Sequence, residues 1–265
     1  MKFTAIIPAR YASTRFPAKP LAILGGKTVI QRVYEQVSSV IDDVCVATDD
    51  DRIREAVEAF GGRVVMTSPN HKSGTDRICE AFCTLYPSAV TNISPHQEKQ
   101  EGAPLPDVII NVQGDEPFIQ ASQLQTVMDC FNDENTQIAT LGKPFTNLEA
   151  LQNPNSPKIV VDNNHYAMYF SRSVIPFIRG KEASEWIGSY PFLKHIGLYA
   201  YRADVLQGIT RLPQSSLEIA ESLEQLRWLQ NGYKIKVGLT DVETIGIDTP
   251  EDLKKAEAFL KEGRI

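Results

Sequence analysis

The chain has 265 residues, of which 42% are hydrophobic and 23% charged, and its net charge at pH 7 is −6. That length suits one large α/β domain, or one domain with a subordinate lobe, and the composition is ordinary for a soluble globular protein. The acidic balance excludes a general nucleic-acid binder, which carries a basic surplus, and no run of 18 apolar residues offers a membrane span.

The apolar run near the amino terminus ends at Pro8, too soon for a secretory signal. Cys45, Cys79, Cys83 and Cys130 form no C-x-x-C and sit inside apolar helix or strand patterns. The expectation is reduced, buried thiols in a cytoplasmic protein, without a zinc site.

An apolar run over 3–7 reads as a buried first strand. Val29, Ile30, Val33, Val37 and Val40 recur at a helical period. Residues 44–47 read as the second strand, with Asp49 and Asp50 as caps for a helix over 52–60. Gly61 and Gly62 stop that helix, and 64–66 is the third strand. Such a β-α-β-α-β order predicts a parallel, right-handed, doubly wound sheet. Ser73 to Asp76 starts a helix over 78–85, and its free amides either are capped locally or bind the polar edge of a ligand.

Residues 88–106 are polar, proline-containing and aperiodic, and read as an exposed insertion without chemistry. Residues 107–112 form a strongly apolar strand that runs into Gln113, Gly114, Asp115 and Glu116. A carboxylate pair at the end of a central strand suits Mg²⁺. It suits equally a turn and cap for a helix over 121–131. Residues 137–141 are a strand. Strands at 158–161 and 166–171 flank Asp162, Asn163, Asn164 and His165, a hairpin signature that breaks the β-α rhythm. A loop at 178–190, a strand at 194–201, helices at 203–210 and 218–229 and a strand at 234–237 follow. Asp248 closes a short strand, and Pro250 opens the last helix at a favoured first position.

The first loop carries the chemistry. In IIPARYASTRFPAKPL (residues 6–21), Arg10, Arg15 and Lys19 lie four or five residues apart, and the first carboxylate in the chain is Glu35. The loop leaves the carboxyl end of the first strand, where open parallel sheets place ligands, and its cations can converge on one polyanion. The P-loop and dinucleotide glycine signatures are both absent. Pro8, Pro17 and Pro20 stiffen the loop instead, so phosphate would be held by side-chain charge. With carboxylates at Asp115 and Asp248, each ending a strand, the set points to metal-assisted nucleotidyl transfer from a triphosphate.

Beside that loop stand VATDD (46–50), SGTDR (73–77), NVQGDEP (111–117), YFSR (169–172), HIGLYAY (195–201), LEQLR (223–227) and GIDTPEDL (246–253), all in order. On these motifs the chain resembles the 3-deoxy-manno-octulosonate (Kdo) cytidylyltransferases, the CMP-Kdo synthetases of lipopolysaccharide assembly, from residue 2 to about residue 260. The early motifs are shared with CMP-sialic acid synthetases. The insertion at 88–106 is longer than the family leads one to expect.

The resemblance implies a single Rossmann-like nucleotidyltransferase domain, with a small antiparallel lobe over about 155–215 that covers the sugar and pairs two subunits as a homodimer. The apolar residues Ile159, Val161, Tyr166, Met168 and Phe170 give that pairing some physical footing, and their periodicity fits a core face equally. It implies CTP and Kdo as substrates, CMP-Kdo and pyrophosphate as products, and Mg²⁺ as cofactor. Carried over by motif, Arg10, Arg15 and Lys19 hold the triphosphate. Backbone near Pro8 and Ala9, with Ser73, Gly74 and Arg77, reads cytosine and ribose. Asp115 and Asp248 hold the metals, and Gln113 orients the sugar. Arg172, His195, Tyr199, Glu224 and Gln225 line the Kdo pocket.

That set suits an anionic polyol, because an Arg fork binds both oxygens of a carboxylate. Each member also has a plainer reading. His195 and Tyr199 share a strand face that serves equally as core. Glu224 and Gln225 fit a solvated helix face, and Arg172 a surface ion pair. The rival substrate is another 2-keto sugar acid, 8-amino-Kdo or sialic acid.

Overall fold

The apolar runs of the sequence become strands, and the periodic runs become the helices that cover them. The computed structural model describes residues 1–12, 15–89, 105–243 and 245–261. The expectation of an exposed insertion at 88–106 falls almost wholly outside the described residues. The elements are β1 (Phe3–Ala9), β2 (Ile23–Leu24), β3 (Lys27–Thr28), α1 (Val29–Ser38), β4 (Val44–Thr48), α2 (Asp51–Ala59), β5 (Val64–Met66), α3 (Gly74–Leu85), β6 (Val108–Asn111) and α4 (Ala121–Asp129). After them come β7 (Ile138–Pro144), α5 (Leu148–Gln152), β8 (Lys158–Val161), β9 (Ala167–Ser171), β10 (Leu193–Arg202), α6 (Ala203–Ile209), α7 (Ser216–Glu221), α8 (Gln225–Gln230), β11 (Ile235–Leu239) and α9 (Pro250–Lys261). The chain divides into two compact units, one of Met1–Leu124, Arg202–Thr210 and Thr244–Ile265, the other of Gln125–Tyr201 and Arg211–Glu243.

In the first unit β1 pairs in parallel with β6 on one side and β4 on the other, and β4 with β5. Ala5, Ile6 and Ile7 of β1 and Cys45 and Val46 of β4 are fully buried. A strand in a parallel sheet is covered on both faces, which is why these read as continuous apolar runs. Each fully buried Ile contributes about 1.5–3 kcal/mol. From α1 the residues Val29, Ile30, Val33 and Val37 are buried, and from α3 Ile78, Ala81 and Phe82. Those are the positions the helical period selects.

Asp50 caps α2, its carboxylate accepting from the Arg52 N–H at 3.0 Å. Asp49, expected as a second cap, pairs instead with Arg77 at 3.0 Å. Ser73 caps α3, accepting from the Asp76 N–H at 3.1 Å, so this helix begins before its apolar period does. The β2–β3 hairpin turns through Gly25 and Gly26, both at positive φ. Two-residue strands are too short to leave a period-2 signal.

The short strand expected to end at Asp248 does not form; residues 245–249 are irregular. One backbone bond, Ile247 N–H to the Asp115 carbonyl at 2.9 Å, ties the segment down. Ile247 is buried with Leu24, Val29, Phe118 and Ala256, and Phe259 and Leu260 of α9 pack on the same cluster. The apolar residues of this stretch anchor it through side chains rather than through a ladder.

In the second unit β7 pairs in parallel with β11 and antiparallel with β10, while β8 pairs antiparallel with β9 and with the start of β10. The helix expected over 218–229 is two helices. Ser222 sits in the left-handed region at φ 51 and ends α7, and α8 starts three residues later. The break is held by Glu221, whose carboxylate accepts from Ser171 Oγ at 2.7 Å and the Arg172 N–H at 2.9 Å. The two short helices are joined by a buried pair in which Arg227 Nε donates to Glu218 Oε2 at 2.8 Å. A period continuous across the break hid it from the sequence.

Candidate active site

The loop after β1 brings its cations onto the two carboxylates named from the sequence. Lys19 opens a short 3-10 turn, Lys19–Leu21, and its Nζ donates to Asp115 and, at 3.1 Å, to Asp248 Oδ1. Arg15 Nη2 lies 3.0 Å from the other oxygen of Asp248. Arg10 lines the same cavity and is exposed. Asp115 and Asp248 are 133 residues apart, and Lys19 is the group that bridges them. The cavity holds about 370 Å³ and is lined by Pro8, Ala9, Arg10, Arg15, Lys19, Ser73, Gly74, Arg77, Gln113, Asp115 and Asp248. Every residue assigned to the nucleotide and the metal thus lies on one cavity of the first unit, and Gln113, assigned to the sugar, lies there too.

Local geometry explains the glycines. A Cβ on Gly114 would stand 2.8 Å from the Pro8 carbonyl oxygen. Only glycine lets the turn before Asp115 press against the end of β1, and Gly114 itself also lines the cavity. A Cβ on Gly74 would meet Pro8 Cγ at 3.5 Å, an ordinary contact, so the α3 amino terminus abuts the same proline. Arg77 is buried, with Nη1 donating to Thr67 Oγ1 at 2.6 Å and Nη2 to Asp49 Oδ2 at 3.0 Å. Those two of its five N–H groups hold the wall of the cavity.

Sequence reasoning missed His71 and Lys72, which line this cavity as well. His71 is hydrogen-bonded to Glu80, and Glu80 also accepts from the Ser68 N–H at 2.8 Å. Their one signal was position, directly before the SGTDR stretch. The loop is further held by Arg52, whose guanidinium lies 3.3 Å over the Tyr11 ring while forking onto Asp50 at 2.9 and 2.6 Å.

Asp252 fixes the segment bearing Asp248. Its Oδ2 accepts from the Thr249 N–H at 3.0 Å and Thr249 Oγ1 at 2.8 Å, and Thr249 Oγ1 accepts from the Asp252 N–H at 3.2 Å. This is a reciprocal cap on α9.

The second unit carries the other residues assigned to the sugar. His195 and Tyr199 lie four apart on β10, which in a regular strand means about 13 Å. Their ring centroids are 5.3 Å apart. The register shift between Ile196 and Tyr199 bulges Gly197 and Leu198 out of the ladder and closes the gap. His195 Nε2 meets Thr140 Oγ1 at 3.1 Å. The single Thr140 hydroxyl proton is already directed at the Ile196 and Leu198 carbonyls, at 3.1 and 2.9 Å. With that proton on either carbonyl, Thr140 Oγ1 is left to accept from His195 Nε2, the tautomer in which Nδ1 is the acceptor. Burial pushes His195 down to about 4, so the ring is neutral at pH 7.

Gln225 is buried, and its Nε2 has no hydrogen-bond partner. Glu224 immediately precedes α8, with an oxygen 3.9 Å from Arg227 Nη2. Arg172 is not the surface ion pair of the plainer reading. Its Nε donates to the Glu221 carbonyl at 2.7 Å, Nη1 to Pro154 at 3.0 Å and Nη2 to Ser222 at 3.2 Å. Three of five N–H groups are committed, leaving one on each terminal nitrogen.

The donor set fits Mg²⁺. Hard carboxylate oxygens from Asp115 and Asp248 converge on one positive charge, the Lys19 ammonium, and Mg²⁺ takes one or two carboxylates together with ligand phosphates. No cluster of three or more His, Cys, Asp or Glu occurs among the described residues, so an all-protein metal cage is not part of the arrangement.

Comparison with known proteins gives consistent results. The cytidylyltransferase family matches residues 4–235. A 3-deoxy-manno-octulosonate cytidylyltransferase of Parabacteroides distasonis is 64% identical over 264 residues, covering 98% of each chain. An 8-amino-3,8-dideoxy-manno-octulosonate cytidylyltransferase of Shewanella baltica is 45% identical, covering 98% of this chain and 99% of its own. A solved CMP:2-keto-3-deoxy-manno-octonic acid synthetase complexed with CTP superimposes with a TM-score of 0.86 at 39% identity, over 99% of this chain and 100% of that one.

Proposed function

The chain belongs to the cytidylyltransferase family, and from that premise we propose that it transfers CMP from CTP to the anomeric hydroxyl of Kdo, releasing pyrophosphate, for lipopolysaccharide biosynthesis. The observation that carries this reading is the meeting of Arg15 and Lys19 with Asp115 and Asp248 on one cavity. A dehydrogenase or a simple nucleotide binder needs no such pairing of phosphate cations with metal-type carboxylates.

Arg10, Arg15 and Lys19 hold the triphosphate, and their charge stabilises the pyrophosphate as it leaves. The wall built from Pro8, Ala9, Ser73, Gly74 and Arg77 takes the cytidine. The sugar hydroxyl forms a bond to the α-phosphorus as the bond to the bridging oxygen breaks, with Gln113 orienting the sugar. Asp115 and Asp248 would hold Mg²⁺, which supplies charge neutralisation on phosphate and eases loss of the hydroxyl proton. Arg172 offers its two remaining N–H groups to the sugar carboxylate. His195 Nδ1, Tyr199, Glu224 and Gln225 satisfy hydroxyls, and the unpartnered Gln225 amide supports this, since buried donors need partners. We further infer a cytoplasmic homodimer. The free cysteines and the exposure of Met168, 66%, support it, although Ile159 and Phe170, also named for the pairing surface, are buried within the chain itself.

The test is pyrophosphate release with CTP and Mg²⁺, offering Kdo, 8-amino-Kdo and sialic acid in parallel. Release with Kdo is the expected result. Release with another sugar acid alone overturns the substrate, and release with none overturns the function.

A further inference from the structure

Two charged residues without a role in the reaction above surround Arg172. Lys158 is fully buried on β8, and its Nζ donates to the Asn153 and Arg172 carbonyls, each at 2.8 Å. Glu221 ends α7 with one carboxylate oxygen on Ser171 Oγ and the other on the Arg172 N–H, and its own carbonyl takes the Arg172 Nε–H. Lys158 fixes the backbone that carries Arg172 together with the 153–154 turn that accepts Arg172 Nη1. Glu221 fixes the α7 terminus that accepts Nε. Every anchor of the guanidinium is thereby set by one of these two residues or by the adjoining Ser222.

We propose that Glu221 and Lys158 are positioning residues for the sugar acid's carboxylate, acting through Arg172; this rests on the reading of the second unit as the site of an anionic sugar. The arrangement commits three N–H groups of Arg172 to backbone carbonyls and leaves two, one on each terminal nitrogen, for a carboxylate. A lysine or a loosely held arginine would bind the same charge with more conformational freedom to lose.

The experiment is steady-state kinetics on Glu221→Ala and Glu221→Gln, varying Kdo at saturating CTP and CTP at saturating Kdo. Glutamine can rebuild both contacts, because its Oε1 accepts from the Arg172 N–H while its Nε2 donates to Ser171 Oγ with the hydroxyl reversing its role. The expected result is a KM for Kdo raised about tenfold or more in Glu221→Ala, a KM for CTP within about twofold of wild type, and most of the loss recovered in Glu221→Gln. Lys158→Met is expected to show the same split. Equal rises in both KM values, an unchanged KM for Kdo, or a glutamine variant no better than alanine would overturn the positioning role. Wild-type turnover is the control: its absence would overturn the functional reading and this inference with it, whereas an active wild type with unsplit variants overturns this inference alone.

Discussion

Replacing Gly114 with alanine tests whether the end of β1 and the Asp115 turn form one packed unit. The new Cβ would stand 2.8 Å from the Pro8 carbonyl oxygen and 3.5 Å from both Ile30 Cδ1 and Ile7 Cγ2. A relaxed carbon-to-oxygen contact is about 3.3 Å or longer, so the turn must retreat by roughly half an ångström. Ile7 and Ile30 are fully buried and cannot give way. Overpacking of this kind costs about 1–3 kcal/mol, which in a chain of this size lowers Tm by roughly 2–6 °C. The retreat also carries Gln113 and Asp115 away from Lys19. A misplacement of about 1 Å can cost a hundredfold in rate, so half of that is worth on the order of tenfold in kcat/KM. Thermal melting and pyrophosphate release read the two effects separately. An unchanged Tm together with unchanged kcat/KM would refute the reasoning.

Asp248→Ala should abolish turnover while leaving the Kd for CTP within about fivefold, because Lys19 and Arg15 remain to hold phosphate; calorimetric titration checks this, and an equal loss of CTP binding would count against the assigned role. Arg77→Met leaves Asp49 unpaired in a mostly buried position and should lower stability by about 3–5 kcal/mol, read as a drop in Tm. Asp252→Ala removes the reciprocal cap of α9 and should cost about 1 kcal/mol in a denaturant melt. His195 binds its proton in the unfolded chain near the ordinary 6.5 but in the folded chain only near 4. Between those values the unfolded state holds more protons, so the stability from a neutral His195 is complete above pH 6.5 and is lost as pH falls toward 4. Melting wild type and His195→Asn from pH 4.5 to 7.5 should show the steeper acid-side loss in wild type, and parallel curves would refute the assignment.

The first unit's central strands were legible because a strand buried on both faces is a run of apolar residues, as 5–7 and 44–47 are, while 64–66, half-buried to exposed at the sheet edge, was legible from its place after a helix stopped by Gly61 and Gly62. The cations and Asp115 were legible because they stand in the loops that follow β1 and β6, whereas no strand leads directly into Asp248. What escaped depends on contacts distant in sequence. Glu221 looks like any helix-surface carboxylate until Ser171 and Arg172 arrive from 50 residues upstream. The 218–229 helix kept its period through Ser222, where a left-handed residue broke it. Asp248 was placed on a strand because Ile245 and Ile247 are β-branched and apolar, yet their burial comes from α9 and Phe118 rather than from a ladder. The distance between His195 and Tyr199 was set by a bulge at Gly197 and Leu198 that period-2 reasoning cannot see.

The most direct test of the central claim is the ³¹P spectrum of the chain mixed with CTP, Kdo and Mg²⁺. A phosphodiester signal rising in step with pyrophosphate, and only when all three are present, is the outcome expected of in-line transfer at the α-phosphorus. Free CMP or orthophosphate in place of the phosphodiester would contradict it, since either would mean that water, and not the sugar, is the nucleophile.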